Sequence, residues 1–202
     1  MTTLSAEESY AWCHELMRSA ARNFYYGMRL LPEAKRQAMY ALYSFMRLID
    51  DIADEPGAAA AERVKKLESW RKDLHAAVKG ETHSHPLWPA LADTIARFAI
   101  PIKLLDEAID GQLQDLVQSA YTTFIDLYGY CYRVASTVGI AAIHIFGFRD
   151  RKAVALAEER GIAMQLTNIL RDIREDAARG RRYIPIEDCA RFGCDDWSFG
   201  TG

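Results

Sequence analysis

The chain has 202 residues, half of them hydrophobic and 26% charged, a balance that suits one globular domain with a real core and excludes a largely disordered chain. Its 25 basic residues against 28 acidic ones give a net charge of −3, so no electrostatic footprint points to nucleic acid. The four cysteines, Cys13, Cys131, Cys189 and Cys194, lack the paired spacing of a zinc site and read as reduced cytosolic thiols.

The start, MTTLSAEES, is polar and acidic where a signal peptide needs basic residues and an apolar run, so no export signal is expected. Ser5 followed three residues later by Glu8 is a capping-box pattern, opening a helix to about residue 21. The aromatic run Phe24, Tyr25, Tyr26 ends at Gly27, and Pro32 suits the first position of the next helix. That helix carries Met39, Leu42, Tyr43, Met46, Ile49 and Ile52 at helical spacing and ends near Glu55, before Pro56-Gly57.

A charged helix is predicted for 58–79, closing at Gly80, and HSHPLWP (83–89) reads as a loop in which His83 and His85 lack partners at ligand spacing. Helices are predicted at about 87–98, 101–118 and 122–146. The charge-free stretch Val134 to Phe148 is shorter than the roughly 20 residues a membrane span needs, and reads as a buried helix. Asp150 caps a long helix at about 151–178, which breaks at Gly180 and Pro185, and a weak helix follows near 187–192. No strand pattern, repeat or linker divides residues 1–202, and the tail 195–202 reads as unstructured. The fold class is therefore all-α, an antiparallel helical bundle with two aspartate-bearing helices placed centrally.

Residues four apart share a helical face, so Asp50 with Asp54, and Asp172 with Asp176, each aim two carboxylates at one point. Such neighbours repel, and a buried cluster calls for a cation; hard oxygen ligands select Mg²⁺, with Mn²⁺ as the alternative. Spacing alone is weak, since 28 acids in 202 residues place about four such pairs by chance, most of them solvated. Asp106 with Asp110 is another pair of that kind. The two clusters differ in continuing helices rich in apolar and aromatic residues, so their acids face an interior. Arg47 precedes Asp50 and Asp51 by three and four, and Arg171 abuts Asp172. These arginines either ligate phosphate oxygens or pair with the neighbouring acids. Arg174 reads as an ion-pair partner, and Arg181 and Arg182 either reach the same site or face solvent.

The segments FYYGMRLLPEAKRQAMYALYSFMRLIDDIAD (24–54), LYGYCYRVASTVG (127–139) and QLTNILRDIREDAARGRRYIP (165–185) resemble the signature regions of the squalene and phytoene synthase family. The similarity runs from about residue 7 to 194. It implies an isoprenoid-synthase-type bundle around a central cavity, truncated at its C-terminal side, since family members usually continue for several more helices. It implies head-to-head condensation of two prenyl diphosphates, farnesyl diphosphate going to presqualene diphosphate or squalene, or geranylgeranyl diphosphate going to phytoene. Carried over by position, Asp50, Asp54, Asp172 and Asp176 bind Mg²⁺–diphosphate, with Asp51 as auxiliary ligand. Tyr43, Arg47, Gln165, Asn168, Arg171 and Arg182 meet diphosphate or the reacting centre, and Tyr130 stands near the first ionisation. Val134, Ala135 and Gly139 line the prenyl tunnel. Asp115 also resembles a family position, with a structural ion pair as its other reading.

NADPH is implied only for a squalene product, and no GxGxxG follows a strand to hold it. The expected partner is a prenyl diphosphate in the cytoplasm, with peripheral membrane association and oligomeric state left open. Three rivals stand beside this reading. A terpene cyclase is disfavoured by GRRYIP and GYCYRVASTVG. A non-catalytic assembly factor would have eroded aspartate motifs, and a structural bundle would leave the acids solvated.

Overall fold

The computed structural model describes residues 4–81 and 85–194. His83, Trp197 and the tail 195–202 lie outside them. Among the described residues the architecture is helical, with one isolated bridge between Ala120 and Arg182.

Helix α1 (Ala6–Ala20) starts at the expected capping box: Glu8 N–H donates to Ser5 Oγ at 3.2 Å and Ser5 N–H to Glu8 Oε2 at 2.8 Å. It is pinned to the helix α5 (Trp88–Phe98) by Ser9, whose Oγ donates to Pro86 O and accepts from Ala90 N–H. The aromatic run does not simply end at Gly27. It forms a short helix α2 (Arg22–Met28) that carries Gly27 inside it. α3 (Glu33–Ala53) is the central helix, and its start corrects the expectation by one residue. Pro32 has ψ 145, outside the helical region, and serves as the cap whose carbonyl accepts from Arg36 N–H at 2.9 Å. Of the expected positions Met39, Leu42 and Ile49 are buried while Tyr43, Met46 and Ile52 are half-buried, and Ala38, Phe45 and Ala53 complete the buried face.

α4 (Ala60–Val78) is peripheral as expected, burying only Leu67, Leu74 and Ala77, and closes at Gly80 with φ +81. α6 (Ile102–Val117) follows α5. The stretch predicted as one helix over 122–146 is divided into α7 (Phe124–Cys131), a π-helical turn (Tyr132–Ser136) and α8 (Thr137–Phe146). The turn is wedged between two glycines. A Cβ added at Gly111 would lie 2.8 Å from Val134 Cγ1, and one at Gly161 would lie 2.5 Å from Ser136 Cα. A widened turn therefore fits only because α6 and α9 (Lys152–Ala178) present bare backbone to it. The cap of α9 is Arg151, one residue later than expected and without a side-chain bond, while Asp150 Oδ1 still accepts from Lys152 N–H at 2.9 Å. After Gly180, with φ +76, the chain runs beside residues 119–122 before α10 (Ile186–Phe192). Arg182 N–H donates to Ser119 O, Ile186 N–H to Tyr121 O and Glu187 N–H to Thr122 O.

The main core, built around Phe45, Leu42, Trp88, Leu91, Leu105 and Ile109, joins α1, α3, α4, α5, α6 and α8. A second, smaller cluster gathers Tyr121, Leu127, Tyr130, Cys131, Ile162, Ile169 and Tyr183. The polar cleft lies where the two meet. His85 fills a packing role, edge-on to Trp12 and Trp70 at 5.2 and 4.9 Å between ring centres.

Candidate active site

Asp50 and Asp54 are one helical turn apart at the C-terminal end of α3 and look into a cavity of about 240 Å³. α6 contributes Gln112, Asp115 and Leu116, which share a face at spacings of three and four. α7 supplies Tyr130, the π-helical turn Val134, α9 Gln165, and the segment after α9 Arg181. Gln112 Nε2 donates to Asp50 Oδ1 at 2.5 Å, orienting that carboxylate.

Asp50 is open to solvent at the cleft mouth, yet protein crowds its carboxylate. Burial, followed by the charge of Asp54, pushes its pKa up to about 6, against the pull of Arg47; Asp51 and Asp115 push further in the same direction. The cleft thus holds more negative charge than its own side chains neutralise.

Asp115 uses both carboxylate oxygens on phenols. Tyr130 Oη donates to Oδ2 at 2.8 Å and Tyr183 Oη donates to Oδ1 at 3.0 Å. Burial raises the Asp115 pKa, while the two phenols and Arg181 hold it down. Burial also pushes the Tyr183 phenol up to about 12 and raises that of Tyr130. Both therefore remain protonated donors at neutral pH. The alternative reading of Asp115 as half of a structural ion pair gives way to this two-phenol arrangement, in which Arg181 is a neighbouring charge.

Arg181 links the two aspartate motifs. Burial disfavours its charge, but Tyr183, Asp115 and Asp54 hold it protonated; burial raises the pKa of Asp176, and the same guanidinium pulls against that rise. Asp172 sits apart from the cavity lining, clasped by Arg171 through Nε to Oδ1 at 2.7 Å and Nη2 to Oδ2 at 2.6 Å. Asp51 is likewise held by Arg47 at 2.8 Å, both side chains half exposed. The structure therefore brings Asp50, Asp54, Tyr130, Val134 and Gln165 together, and places Asp51, Arg47, Arg171, Asp172 and Asp176 around them without joining them to the lining. Tyr43 is half-buried one turn before Arg47, close enough for Arg47, Asp50 and Asp51 to act on its phenol, whose pKa burial raises. Arg182 commits its backbone to Ser119 and does not line the cavity.

A second cavity, about 590 Å³, runs as an apolar trough between α8 and α9. Val134, Ala135 and Gly139 line it, as do Gln165 and Asn168, whose amides bond to one another at 3.3 Å. Val134 and Gln165 line both cavities, so polar cleft and apolar trough adjoin. The trough continues past Ala142, Ile143 and Met164 to Phe146 and Ala153. Small residues at 135, 139 and 142 leave the room, and the antiparallel run of α8 and α9 sets its direction.

Gln112 and Tyr183 carried no sequence signal for the site, and Asp115 and Arg181 carried an ambiguous one. Helical spacing does place Gln112 and Asp115 on one face of α6, but nothing local in the sequence points Tyr183 at Asp115. The remaining acid pair, Asp106 and Asp110, is taken up by Arg71, with His75 Nε2 on Asp106 at 3.0 Å.

Among the described residues, no group of three His, Cys, Asp or Glu side chains is placed to hold a metal ion by itself. Two carboxylates in a cleft of excess negative charge nevertheless suit a hard divalent cation. Among the same residues no helix is long and apolar enough to cross a membrane.

The family model for squalene/phytoene synthases matches residues 17–199. The 15-cis-phytoene synthase of Synechococcus elongatus is 39% identical over 214 residues, an alignment that covers 98% of this chain and 68% of that protein. The presqualene diphosphate synthase of Zymomonas mobilis is 42% identical over 174 residues, covering 85% of this chain and 58% of that protein. The crystal structure of squalene synthase HpnC from Alicyclobacillus acidocaldarius matches with a TM-score of 0.86 at 31% identity, covering 95% of this chain and 72% of that one. This chain therefore spans 58% to 68% of the length of these two relatives.

Proposed function

Since this chain belongs to the squalene/phytoene synthase family, we propose that it joins two prenyl diphosphates head to head, through a cyclopropylcarbinyl diphosphate, at the cleft of Asp50, Asp54, Asp115 and Arg181. The observation that carries the reading is the adjoining of an anionic polar cleft to an apolar trough through Val134 and Gln165. A diphosphate head with a hydrocarbon tail matches both halves at once.

Asp50 and Asp54 would hold Mg²⁺ or Mn²⁺, with Asp172 and Asp176 joining once Arg171 turns from Asp172 to phosphate. The cation, when bound, supplies Lewis-acid neutralisation of the departing diphosphate. Arg181 lies among the same acids and adds a fixed positive charge where negative charge develops on the leaving group. Tyr130 lines the same cleft with its hydroxyl proton directed at Asp115, and its electron-rich phenol beside the proposed site of ionisation suits an electron-poor allylic cation. The apolar trough keeps water from that cation until the second double bond reaches it. Hydride from NADPH enters only if the reaction continues to squalene.

Farnesyl diphosphate is the proposed substrate, with presqualene diphosphate or squalene as product. A second reading, phytoene from geranylgeranyl diphosphate, is favoured by the phytoene synthase relative that matches over 98% of this chain. Calorimetric titration with the thio-diphosphate analogue of each substrate tests the site. Binding is expected to require Mg²⁺ and to weaken about tenfold in Asp54→Asn, equivalent to ~1.4 kcal/mol. Equal binding with and without Mg²⁺, and by the variant, would argue against the assignment.

A further inference from the structure

The apolar trough between α8 and α9 has a defined beginning and a defined end. It begins beside the polar cleft at Val134 and Gln165, where Ala135, Gly139 and Ala142 of α8 face Gly161 and Ala157 of α9 and leave its floor free of bulk. At the other end α8 supplies Phe146, the one aromatic side chain among the described residues that line the trough. Ile143 and Leu156 add bulk to the same half. The chain then turns back at Gly147, with φ +79, and residues 147–151 join the two helices across that end. The backbone that carries the Phe146 ring is fixed independently of the ring. Lys35 Nζ donates to Phe146 O at 2.6 Å, and Gly147 N–H donates to Ile143 O at 2.8 Å.

Helical rise converts these positions into lengths. The twelve steps of α9 from Gln165 back to Ala153, which lines the same end as Phe146, span about 18 Å, and the eight steps from Val134 to Ala142 about 12 Å. An extended carbon chain advances about 1.2 Å per bond, and its terminal methyl adds a radius of about 2 Å. With C1 at Val134 and Gln165, a geranyl chain therefore reaches about 10 Å, a farnesyl chain about 15 Å and a geranylgeranyl chain about 20 Å. A farnesyl tail ends short of Phe146, whereas the last isoprene of a geranylgeranyl tail runs into its ring. Prenyl chains lengthen only in steps of five carbons, so a single side chain is enough to divide the two.

We propose that Phe146 is the stop that sets prenyl length at this site, admitting a farnesyl chain and opposing the fourth isoprene of a geranylgeranyl chain. The inference rests on the function proposed above for the direction of the tail, and adds to it the residue that measures the tail. Ala142, one turn nearer the cleft, is where an added ring would move the stop inward by about 6 Å, a little more than one isoprene.

The test is calorimetric titration, with Mg²⁺ present, of the thio-diphosphate analogues of geranyl, farnesyl and geranylgeranyl diphosphate. In the parent protein farnesyl is expected to bind about 30-fold more tightly than geranyl, the effect of five carbons half-buried in an open trough. Geranylgeranyl should bind no more tightly than farnesyl. Phe146→Ala should leave the first two affinities unchanged and make geranylgeranyl about 30-fold tighter than farnesyl. Ala142→Phe should keep geranyl affinity and bring farnesyl down to the same level. Retained geranyl binding and unchanged helical circular dichroism show the variants folded, and the parent series with Ala142→Phe decides the matter even where Phe146→Ala loses helicity. Geranylgeranyl binding more tightly than farnesyl in the parent, an unaltered series in a folded Phe146→Ala, or farnesyl held undiminished by Ala142→Phe would each overturn the stop while leaving the diphosphate site intact. Absence of Mg²⁺-dependent binding by all three analogues would overturn both the stop and the function on which it rests.

Discussion

Gly161 of α9 lies against Ser136 of the π-helical turn so closely that a Cβ on Gly161 would fall 2.5 Å from Ser136 Cα and 2.6 Å from its N. Both contacts are to backbone, which cannot swing aside, so the spacing of α9 from the turn depends on the missing side chain. That spacing sets the width of the trough and the approach of Val134 and Gln165.

Gly161→Ala is therefore expected to destabilise by about 1–3 kcal/mol, the usual cost of overpacking, in urea unfolding followed by circular dichroism. Gly129→Ala, in α7 with open space around its Cα, is the control and is expected to be neutral or to stabilise by up to ~1 kcal/mol. Equal responses would show that the turn adjusts freely.

Asp50 predicts a pH dependence. Its pKa is 3.8 in the unfolded reference and about 6 in the fold, so the folded state disfavours the carboxylate. The group leaves stability untouched below pH 4, removes it as pH rises towards 6, and keeps it lowered above. Asp50→Asn should then stabilise the protein at pH 7, by about 1 kcal/mol after discounting for solvent screening at the cleft mouth, and leave it unchanged at pH 4. Mg²⁺ should raise the melting temperature of the parent protein at pH 7 and much less at pH 5, where Asp50 is largely protonated. A variant less stable than the parent at pH 7 would contradict this account.

Tyr183 and Asp115 predict a coupled effect. Tyr183→Phe removes the donor to Asp115 Oδ1 and is expected to cost about 1–2 kcal/mol of stability. That hydrogen bond lowers the Asp115 pKa, so its loss raises the pKa further, and the acid limb of any activity profile should move to higher pH. Asp115→Asn should abolish that shift. An unchanged limb in Tyr183→Phe would remove Asp115 from the account of the cleft.

Much of this architecture was legible because its signals are local. The capping box at Ser5 and Glu8, the Gly80 and Gly180 stops and the apolar period of α3 depend on residues within a turn or two of each other. So does the pairing of Asp50 with Asp54. The short helix at Arg22–Met28 was missed because its interior Gly27 reads as a stop. The π-helical turn was missed because its cause lies on other elements, at Gly111 and Gly161. Tyr183 meets Asp115 only after the chain past α9 is laid beside residues 119–122, a pairing that helical periodicity cannot foresee. The arginines flanking the motifs were recognised as either phosphate ligands or partners of their own acids. In the structure Arg47 and Arg171 do pair with Asp51 and Asp172.

The most direct test of the central claim is product analysis after incubating this chain with farnesyl or geranylgeranyl diphosphate and Mg²⁺, with and without NADPH. Release of inorganic diphosphate and formation of a cyclopropylcarbinyl diphosphate or its C30 or C40 hydrocarbon product, lost in Asp50→Asn, is the predicted result. No diphosphate release from either substrate, or release of a single-substrate cyclised or hydrolysed product, would contradict it.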